Sequence, residues 1–225
     1  EFSLLIICVY IIIQINKMIF NKKKLSNVWK KNFKSSGCKI KKINFIKYIQ
    51  RNNKKIILAF ADSTIITKNK KKINRAVQIE WPSVIIVPVL LCGNTVKTLL
   101  IEQFRIGSGR YTLDFPAGII EDRNIADSAI REIKEELNIS LIKKKLKPLN
   151  KKPIYMLPAS NSQLAYFFYF KIKVTKRFLN LINNSVSGCA NDGEYLKIKV
   201  MSFKEIEKIN TSSVIIGLSL IKKII

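Results

Sequence analysis

The chain has 225 residues, of which 48% are hydrophobic and 25% are charged; 41 Lys and Arg against 15 Asp and Glu give a formal net charge of +26. This composition excludes a disordered protein of low hydrophobicity and an acidic solvating tail, and the length suits one ordinary domain better than two of usual enzyme size. The positive charge favours a phosphate-rich or otherwise anionic partner, and the alternative is a solvated, lysine-rich exterior.

The N-terminal part is basic and free of acid, since no Asp or Glu occurs between Phe2 and Ala61. Its first apolar run ends at Ile15 and is shorter than the roughly 20 residues that a membrane-spanning helix needs. We expect residues 1–50 to be a basic leader, either targeting or disordered, and a membrane partner only if this run is a real anchor. A read-through upstream of a start at Met18 is the alternative. We expect a cytoplasmic protein, or a mitochondrial or other organellar one because the leader resembles a transit peptide.

Apolar patterns predict strands, beginning with two short ones between Lys55 and Thr67 that are separated at Ala61-Asp62-Ser63. Lys68 to Lys72 is expected to be a basic turn. Further strands are predicted at Val84–Leu91, Val96–Phe104, Tyr111–Phe115, Leu164–Val174 and Glu194–Met201. The first two of these should form a buried antiparallel hairpin, and a break is expected at Pro116-Ala117-Gly118.

The clearest helix begins after Asn124, a good N-cap residue, because apolar side chains then recur at helical spacing at Ile130, Ile133 and Leu137. Asn138 is suited to end it in the left-handed conformation. A capping box formed by Ser202 and Glu205 predicts a short helix to about Ile209, and Ser213 to Ile221 predicts a closing helix. Strands around a central helix predict a mixed α/β fold in a single domain.

The scarce carboxylates are clustered, since seven of the 15 acidic residues lie between Asp114 and Glu136. On the central helix Glu132, Glu135 and Glu136 are three and four residues apart, so their side chains project from one face. Their mutual repulsion favours a bound cation, and hard divalent ions such as Mg²⁺ prefer carboxylate oxygens. The alternative is a solvated acidic helix face.

Histidine is absent, which excludes a His base, a Ser-His or Cys-His pair and a His-ligated metal. The four cysteines are far apart and include no C-x-x-C pair. They suggest neither a zinc site nor a disulfide framework, so a reducing compartment is expected.

The segment from Gly118 to Ile139 resembles the Nudix box, G-x5-E-x7-R-E-U-x-E-E-x-G-U, in which U is apolar. Arg131-Glu132-Ile133-Lys134-Glu135-Glu136-Leu137 matches its second half, and Asn138 replaces the final glycine. The first half is one residue shorter than the pattern and lacks its first Glu. The Arg-Glu-x-x-Glu-Glu core that binds metal in the family is intact.

Two flanking segments make the chain similar to the ADP-ribose and ADP-sugar diphosphatase branch of the Nudix family. Gln103-Phe104-Arg105 matches its V-x-Q-[FY]-R segment, and Asp114-Phe115-Pro116-Ala117-Gly118 matches E-[FL]-P-A-G with Asp in place of Glu. The resemblance implies a Nudix domain over residues 81–225, with a mixed central sheet in an α/β/α sandwich. Residues 51–80 would be a small N-terminal β segment that serves as the dimer and substrate arm of a homodimer.

The resemblance also implies a ligand set for Mg²⁺, with Mn²⁺ as an alternative. Glu132, Glu135, Glu136 and the backbone carbonyl of Ala117 would bind the ion, and Glu135 also has a catalytic role. Arg131 would pair with the box carboxylates as a structural residue.

The general base implied by the resemblance is Glu194, in Asn191-Asp192-Gly193-Glu194, and the alternative is that Glu194 only opens the last strand. Arg105 would clamp a phosphate through its planar fork, unless it is a plain surface arginine. The other predicted substrate-binding residues are Arg75, Ile119, Met156 and Trp81. Trp81 could stack on a base, or it belongs to the core.

The resemblance implies Mg²⁺-dependent hydrolysis of ADP-ribose or a related ADP-sugar, a nucleoside diphosphate sugar, to AMP and a sugar phosphate. One alternative is a Nudix enzyme for another nucleoside diphosphate derivative, such as NADH or an oxidised nucleotide. Another is an inactive Nudix fold that serves as a basic RNA- or partner-binding module. A nucleic-acid partner is not expected, because a polyanion-binding protein has little use for a dense carboxylate cluster.

Overall fold

The computed structural model describes residues 23–50, 56–120, 124–188 and 195–225. The chain divides into two compact units. One unit comprises Glu1–Trp81 and Leu157–Gln163, and the other comprises Pro82–Met156 and Leu164–Ile225. Over the described ranges, no helix is both long enough and apolar enough to cross a membrane.

The first unit contains a three-stranded antiparallel sheet in the order β1-β2-β3. Its elements are helix α1 at residues 23–31 and strands β1 Lys39–Gln50, β2 Ile56–Ile66 and β3 Lys72–Glu80. Residues 39–50, which the sequence interpretation assigned to the leader, thus form a strand. The segment Leu157–Gln163 bonds to β3, since the backbone N–H of Gln78 donates to Ser160 O at 2.8 Å and that of Ser162 donates to Gln78 O at 2.9 Å.

The predicted break at Ala61-Asp62-Ser63 is wrong, because β2 runs through these residues without interruption. Ala61 and Ser63 are buried while Asp62 between them is exposed, so the alternation of a half-buried strand continues. β1 and β3 pair with all three residues. The Ser63 hydroxyl donates to Arg75 O at 2.9 Å, which satisfies its polar group across the sheet.

The second unit contains a mixed nine-stranded sheet, whose central path runs β11-β12-β5-β4-β10-β8. β10 is parallel to β4, and the other pairings are antiparallel. The strands are β4 Ser83–Cys92, β5 Thr95–Arg105, β6 Arg110–Asp114, β7 Ala117–Ile119, β8 Lys147–Pro148, β9 Ile154–Tyr155, β10 Leu164–Lys173, β11 Val186–Ser187 and β12 Leu196–Ser202. The α-helices are α2 Ile125–Leu137, α3 Lys176–Ile182, α4 Phe203–Ile206 and α5 Ser212–Ile221.

Strand β4 explains the unbroken apolar run in the sequence, because both of its faces are buried. Val84 and Ile86 belong to the core that α2 and α3 cover, whereas Ile85 and Val87 belong to the core that α4 and α5 cover. Alternate residues of one strand therefore supply two cores. The predicted α/β/α sandwich with a mixed central sheet is confirmed.

The predicted hairpin of β4 and β5 is also confirmed, with Cys92 opposite Thr95 across the turn. The break predicted at Pro116-Ala117-Gly118 is only partly correct, because residues 117–119 form the short strand β7 against the start of β4. The capping box of Ser202 and Glu205 is present at α4. Hydrogen bonds from the side chain and backbone of Ser202 hold the pKa of Glu205 below its ordinary value.

Candidate active site

Helix α2 carries the carboxylate cluster, and its two ends are fixed as the sequence predicts. The side chain of Asn124 accepts a hydrogen bond from Ala126 N at 2.9 Å, and Asn138 ends the helix in the left-handed conformation with φ 53°. Ile133 and Leu137 are buried against the sheet. With that stripe held in the core, the opposite face of α2 presents its carboxylates to β7 and the adjoining loop.

Arg131 connects the first two box carboxylates to strand β7, which precedes the helix. Its Nη2 lies 2.8 Å from Glu132 Oε1, and its Nη1 lies 2.7 Å from Glu135 Oε2. Nη2 also donates to the carbonyl of Ile119 at 3.1 Å. Because Glu132 is only 7% exposed, its charge requires a close partner, and Arg131 provides one. The prediction that Arg131 pairs with the box carboxylates is confirmed.

Glu136 brings the helix to the backbone of β7, since its Oε2 accepts a hydrogen bond from Ala117 N at 3.0 Å. β7 itself is fixed by its pairing with β4, in which Ala117 lies opposite Ile85 and Gly118 lies opposite Val84. The structure thus brings the α2 carboxylates together with Ala117, the residue whose carbonyl was predicted as a further metal ligand.

Gly118 leaves the space in which Glu132 lies. A Cβ built on Gly118 would overlap the carboxylate of Glu132, both at Cδ and at an oxygen. Because β7 approaches α2 closely here, a side chain at this position would push the end of the Glu132 side chain out of its place. A glycine at this position therefore sets where the first carboxylate of the cluster can sit.

Replacing Gly118 with alanine should displace the end of the Glu132 side chain and lower the free energy of unfolding by about 1 kcal/mol, the low end for overpacking, because the overlapped atoms end a flexible side chain. Urea denaturation of the Gly118→Ala variant would measure this change. Gly107→Ala is the matched control, because its added Cβ would meet nothing within 4 Å. Equal stability of the two variants would contradict the close packing of Glu132 on β7.

The donor set fits a hard divalent cation by its chemistry. Across the described residues, no group of three or more His, Cys, Asp or Glu side chains converges closely enough to hold a metal ion. The box carboxylates instead contact Arg131 and the amide of Ala117. The three carboxylates on one helix face and the neighbouring backbone carbonyl of Ala117 offer only oxygen ligands, which Mg²⁺ prefers. The carboxylate of Glu132 lies in the space that Gly118 leaves.

Arg105, the predicted phosphate ligand, ends β5 and is half-exposed. Its Nε lies 3.5 Å from Asp114 Oδ2, so the contact does not use the terminal nitrogens of the guanidinium. Asp114 is held in turn by two hydroxyl groups: Thr112 Oγ1 donates to Oδ2 at 2.9 Å and Ser213 Oγ donates to Oδ1 at 2.6 Å. Asp114 therefore holds Arg105 from the neighbouring strand.

The sequence marks Asp114 as a member of the carboxylate cluster and as a substitution for Glu, and Ser213 as the start of a helix, but it does not connect the two residues. Ser213 lies 99 positions from Asp114, and no local pattern indicates that contact. The one available signal was the polar Thr112, two residues before Asp114 on the same strand face. The long-range hydrogen bond depends on the packing of α5 beside β6.

Of the remaining predicted residues, Ile119 and Met156 belong to the same unit as α2. Ile119 contacts Arg131 through its carbonyl, and Met156 packs against the core beneath α5. Glu194 lies outside the described residues. The roles of all three stay predictions.

Arg75 and Trp81 belong to the other unit. Nη1 of the exposed Arg75 donates to Asn74 O at 2.9 Å. Trp81 is only 7% exposed, its indole N–H donates to Ile56 O at 2.7 Å, and Lys24 Nζ lies 5.7 Å from the ring centroid. These contacts favour the core alternative for Trp81, and substrate binding by either residue stays a prediction.

The NUDIX domain model matches residues 82–215, which is more than half of the chain. The chain belongs to the NUDIX domain family. The match includes β4, the Arg105–Asp114 pair and all of α2. Apart from Leu157–Gln163, the matched residues lie in the second of the two units, together with the carboxylate cluster.

One relative of the Nudix domain is Nudix hydrolase 14, chloroplastic, from Arabidopsis thaliana. It is 25% identical over an alignment of 134 residues, and the match covers 56% of this chain and 43% of the relative. The chain therefore matches less than half of that relative's length. A crystal structure of an ADP compounds hydrolase is 15% identical with a TM-score of 0.59, and the match covers 83% of this chain and 92% of that one. At this identity the likeness shows the fold.

Proposed function

We propose that this Nudix domain hydrolyses the diphosphate bond of ADP-ribose or a related ADP-sugar in the presence of Mg²⁺, giving AMP and a sugar phosphate. The observation that carries the proposal is the contact of Glu136 with the backbone of Ala117, beside Glu132 on Gly118. It holds Glu136 of α2 against β7, the strand whose Ala117 carbonyl is a further proposed ligand. The Gln103-Phe104-Arg105 and Asp114-to-Gly118 segments support the ADP-sugar branch, in agreement with the name of the ADP compounds hydrolase.

In this proposal Glu132, Glu135, Glu136 and the carbonyl of Ala117 hold the divalent cation. Bound there, the ion would neutralise diphosphate oxygens and lower the pKa of a water molecule. The protein's own part is to keep three like charges close together without the ion. Arg131 contacts two of them, Glu132 and Glu135, at 2.8 and 2.7 Å, and the amide of Ala117 donates to Glu136.

Substrate binding would rest on Arg105, whose terminal nitrogens can take two phosphate oxygens in the plane of the fork. Asp114 holds the Nε edge and so orients that plane. The attacking water needs a carboxylate to accept its proton, since the chain has no histidine. We propose Glu194 for this role, and Glu135 is the second candidate because its side chain is the most exposed of the three on α2.

The proposal predicts a specific substrate profile. With Mg²⁺ present, the full chain should release AMP from ADP-ribose or ADP-glucose faster than it hydrolyses NADH or an oxidised guanine nucleotide. Chromatography of the nucleotide products measures this, and EDTA should stop the reaction. A preference for NADH or the oxidised nucleotide would overturn the ADP-sugar assignment while leaving the Nudix hydrolase assignment in place.

We also propose that the enzyme is a homodimer in which residues 51–80 serve as the dimer and substrate arm. The branch that the sequence resembles completes its site in this way. Light scattering coupled to size-exclusion chromatography tests the proposal, which a monomer that is fully active would contradict.

A further inference from the structure

One face of the three-stranded sheet in the first unit gathers lysines from two strands. Lys39 of β1 and Lys72 of β3 both lie opposite Ile66 of β2, one on each side. Lys42 lies opposite Thr64, and Lys47 lies opposite Phe60. Directly opposed residues of neighbouring strands project from the same side of a sheet. The lysine face therefore comprises Lys39, Lys42, Lys47, Lys72, Thr64, Phe60, Asp62 and the β1 and β3 partners Asn44 and Asn74.

The charge of this face is strongly unbalanced. The described residues of the first unit include fourteen Lys or Arg and two Asp or Glu. Asp62 lies on the lysine face, and Glu80 lies on the same side of the sheet opposite Leu58, where the side-chain amides of Gln78 and Asn161 engage its carboxylate. The four lysines are exposed, and none has an ion-pair partner among the described residues.

Some lysines of the Nudix domain form ion pairs, since Lys143 pairs with Asp127, Lys199 pairs with Glu102 and Lys222 pairs with Glu207. Within the described ranges, the lysine face has no such pairs and keeps a net positive charge, which is complementary to a row of phosphates.

Phe60 gives the face a second feature, because it is 41% exposed between Lys47 and Gln78 on the neighbouring strands. An exposed aromatic ring among cations is the combination on which proteins stack unpaired bases. Asn44, Thr64 and Asn74 add hydrogen-bonding groups to the same face. By the usual strand rise, Lys39 and Lys47 are about 25 Å apart along β1, which is enough for several nucleotides.

We propose that the lysine face binds single-stranded nucleic acid, with its four lysines against the phosphates and Phe60 stacked on an unpaired base. From the sequence alone no such partner is expected, because of the carboxylate cluster. That cluster lies on α2 in the Nudix domain, whereas the lysine face belongs to the other unit. The lysine face shares β2 and β3 with the proposed arm of residues 51–80, so RNA binding is measured directly and not through hydrolysis.

The test is fluorescence anisotropy of the full chain with labelled oligouridylate RNA of about 20 nucleotides, between about 50 and 200 mM salt. The variant Lys39→Gln/Lys42→Gln/Lys47→Gln/Lys72→Gln should weaken binding at least about tenfold and reduce the salt slope by about three, since each phosphate contact in a single strand contributes about 0.7. If this variant does not fold, Lys42→Gln/Lys47→Gln should reduce the slope by about half as much.

The matched control is Lys144→Gln/Lys145→Gln/Lys171→Gln/Lys173→Gln, which removes the same charge from exposed positions of the Nudix domain. Its affinity for the RNA should be within about twofold of that of the unchanged chain, because counterion release depends on phosphate contacts rather than on net charge. Equal losses in the two variants would overturn the proposal, because binding would then follow overall charge.

Phe60→Leu keeps an apolar side chain but removes the aromatic ring. It should weaken RNA binding about fivefold or more and leave binding to a DNA duplex of equal length unchanged, because paired bases cannot stack on the ring. No effect of Phe60→Leu on the RNA, or binding to anionic phosphatidylserine vesicles in place of RNA, would also overturn the proposal.

Discussion

Glu136→Gln should reduce AMP release from ADP-ribose at least about 100-fold, because it removes one anionic ligand from the proposed metal site. The substitution keeps the shape of the side chain. An amide oxygen can still accept the hydrogen bond from Ala117 N, which is 3.0 Å long in the structure. The contact between α2 and β7 should therefore survive while the negative charge is lost. Steady-state kinetics with Mg²⁺ and ADP-ribose measure the effect.

The control for this variant is Glu207→Gln, which removes a negative charge from an exposed site of the same unit. Glu207 pairs with Lys222, and the hydrogen bond from Lys222 holds the pKa of Glu207 below its ordinary value. Loss of the Glu207 charge should leave the rate of AMP release unchanged. Titration of Glu136→Gln with Mn²⁺, followed by the paramagnetic signal of the ion, shows whether weaker metal binding causes the reduced turnover. Unchanged turnover in Glu136→Gln would refute the hydrolase proposal.

Features that depend on a few neighbouring residues were predicted well from the sequence. The limits of α2 follow from an N-cap residue and a left-handed terminator, and the common direction of the three carboxylates follows from their spacing. The hairpin of β4 and β5 likewise rests on two apolar runs around a short turn. In each case the residues that predict the feature are within about one helical turn or one hairpin of it in the sequence.

Features that depend on distant packing could not be predicted in this way. Residues 117–119 were expected to break the chain, since proline and glycine weaken a strand, yet pairing with β4 makes them β7. The burial of Glu132 is also a tertiary effect, because it requires Gly118 to approach the helix. No pattern in α2 itself distinguishes a buried carboxylate from a solvated one.

The net charge of +26 is a further example, because it averages two different distributions. Acidic residues are concentrated in the Nudix domain around α2, whereas the described residues of the other unit contain only Asp62 and Glu80. The net charge of the whole chain therefore indicates neither the candidate cation site nor the surface with little negative charge. Only the division of the chain into units separates the two.

Replacing Arg105 with alanine should lower kcat/KM for ADP-ribose about 10- to 100-fold, the cost of a lost hydrogen-bonded charge pair to a phosphate. Asp114→Asn should have a smaller effect, mainly a rise in KM, because it leaves the guanidinium present but removes the charge that holds its Nε edge at 3.5 Å. Arg177→Ala, at an exposed position on α3, is the control and should change neither constant.

The combined variant decides whether Asp114 acts through Arg105. If it does, adding Asp114→Asn to Arg105→Ala should cost almost nothing further, since residues that act as one unit give strongly non-additive effects. The Ser213 and Thr112 hydroxyls, at 2.6 and 2.9 Å from Asp114, can still bond to the asparagine side chain, so the fold of β6 should persist. Fully additive losses in the double variant would show that Asp114 contributes by another route.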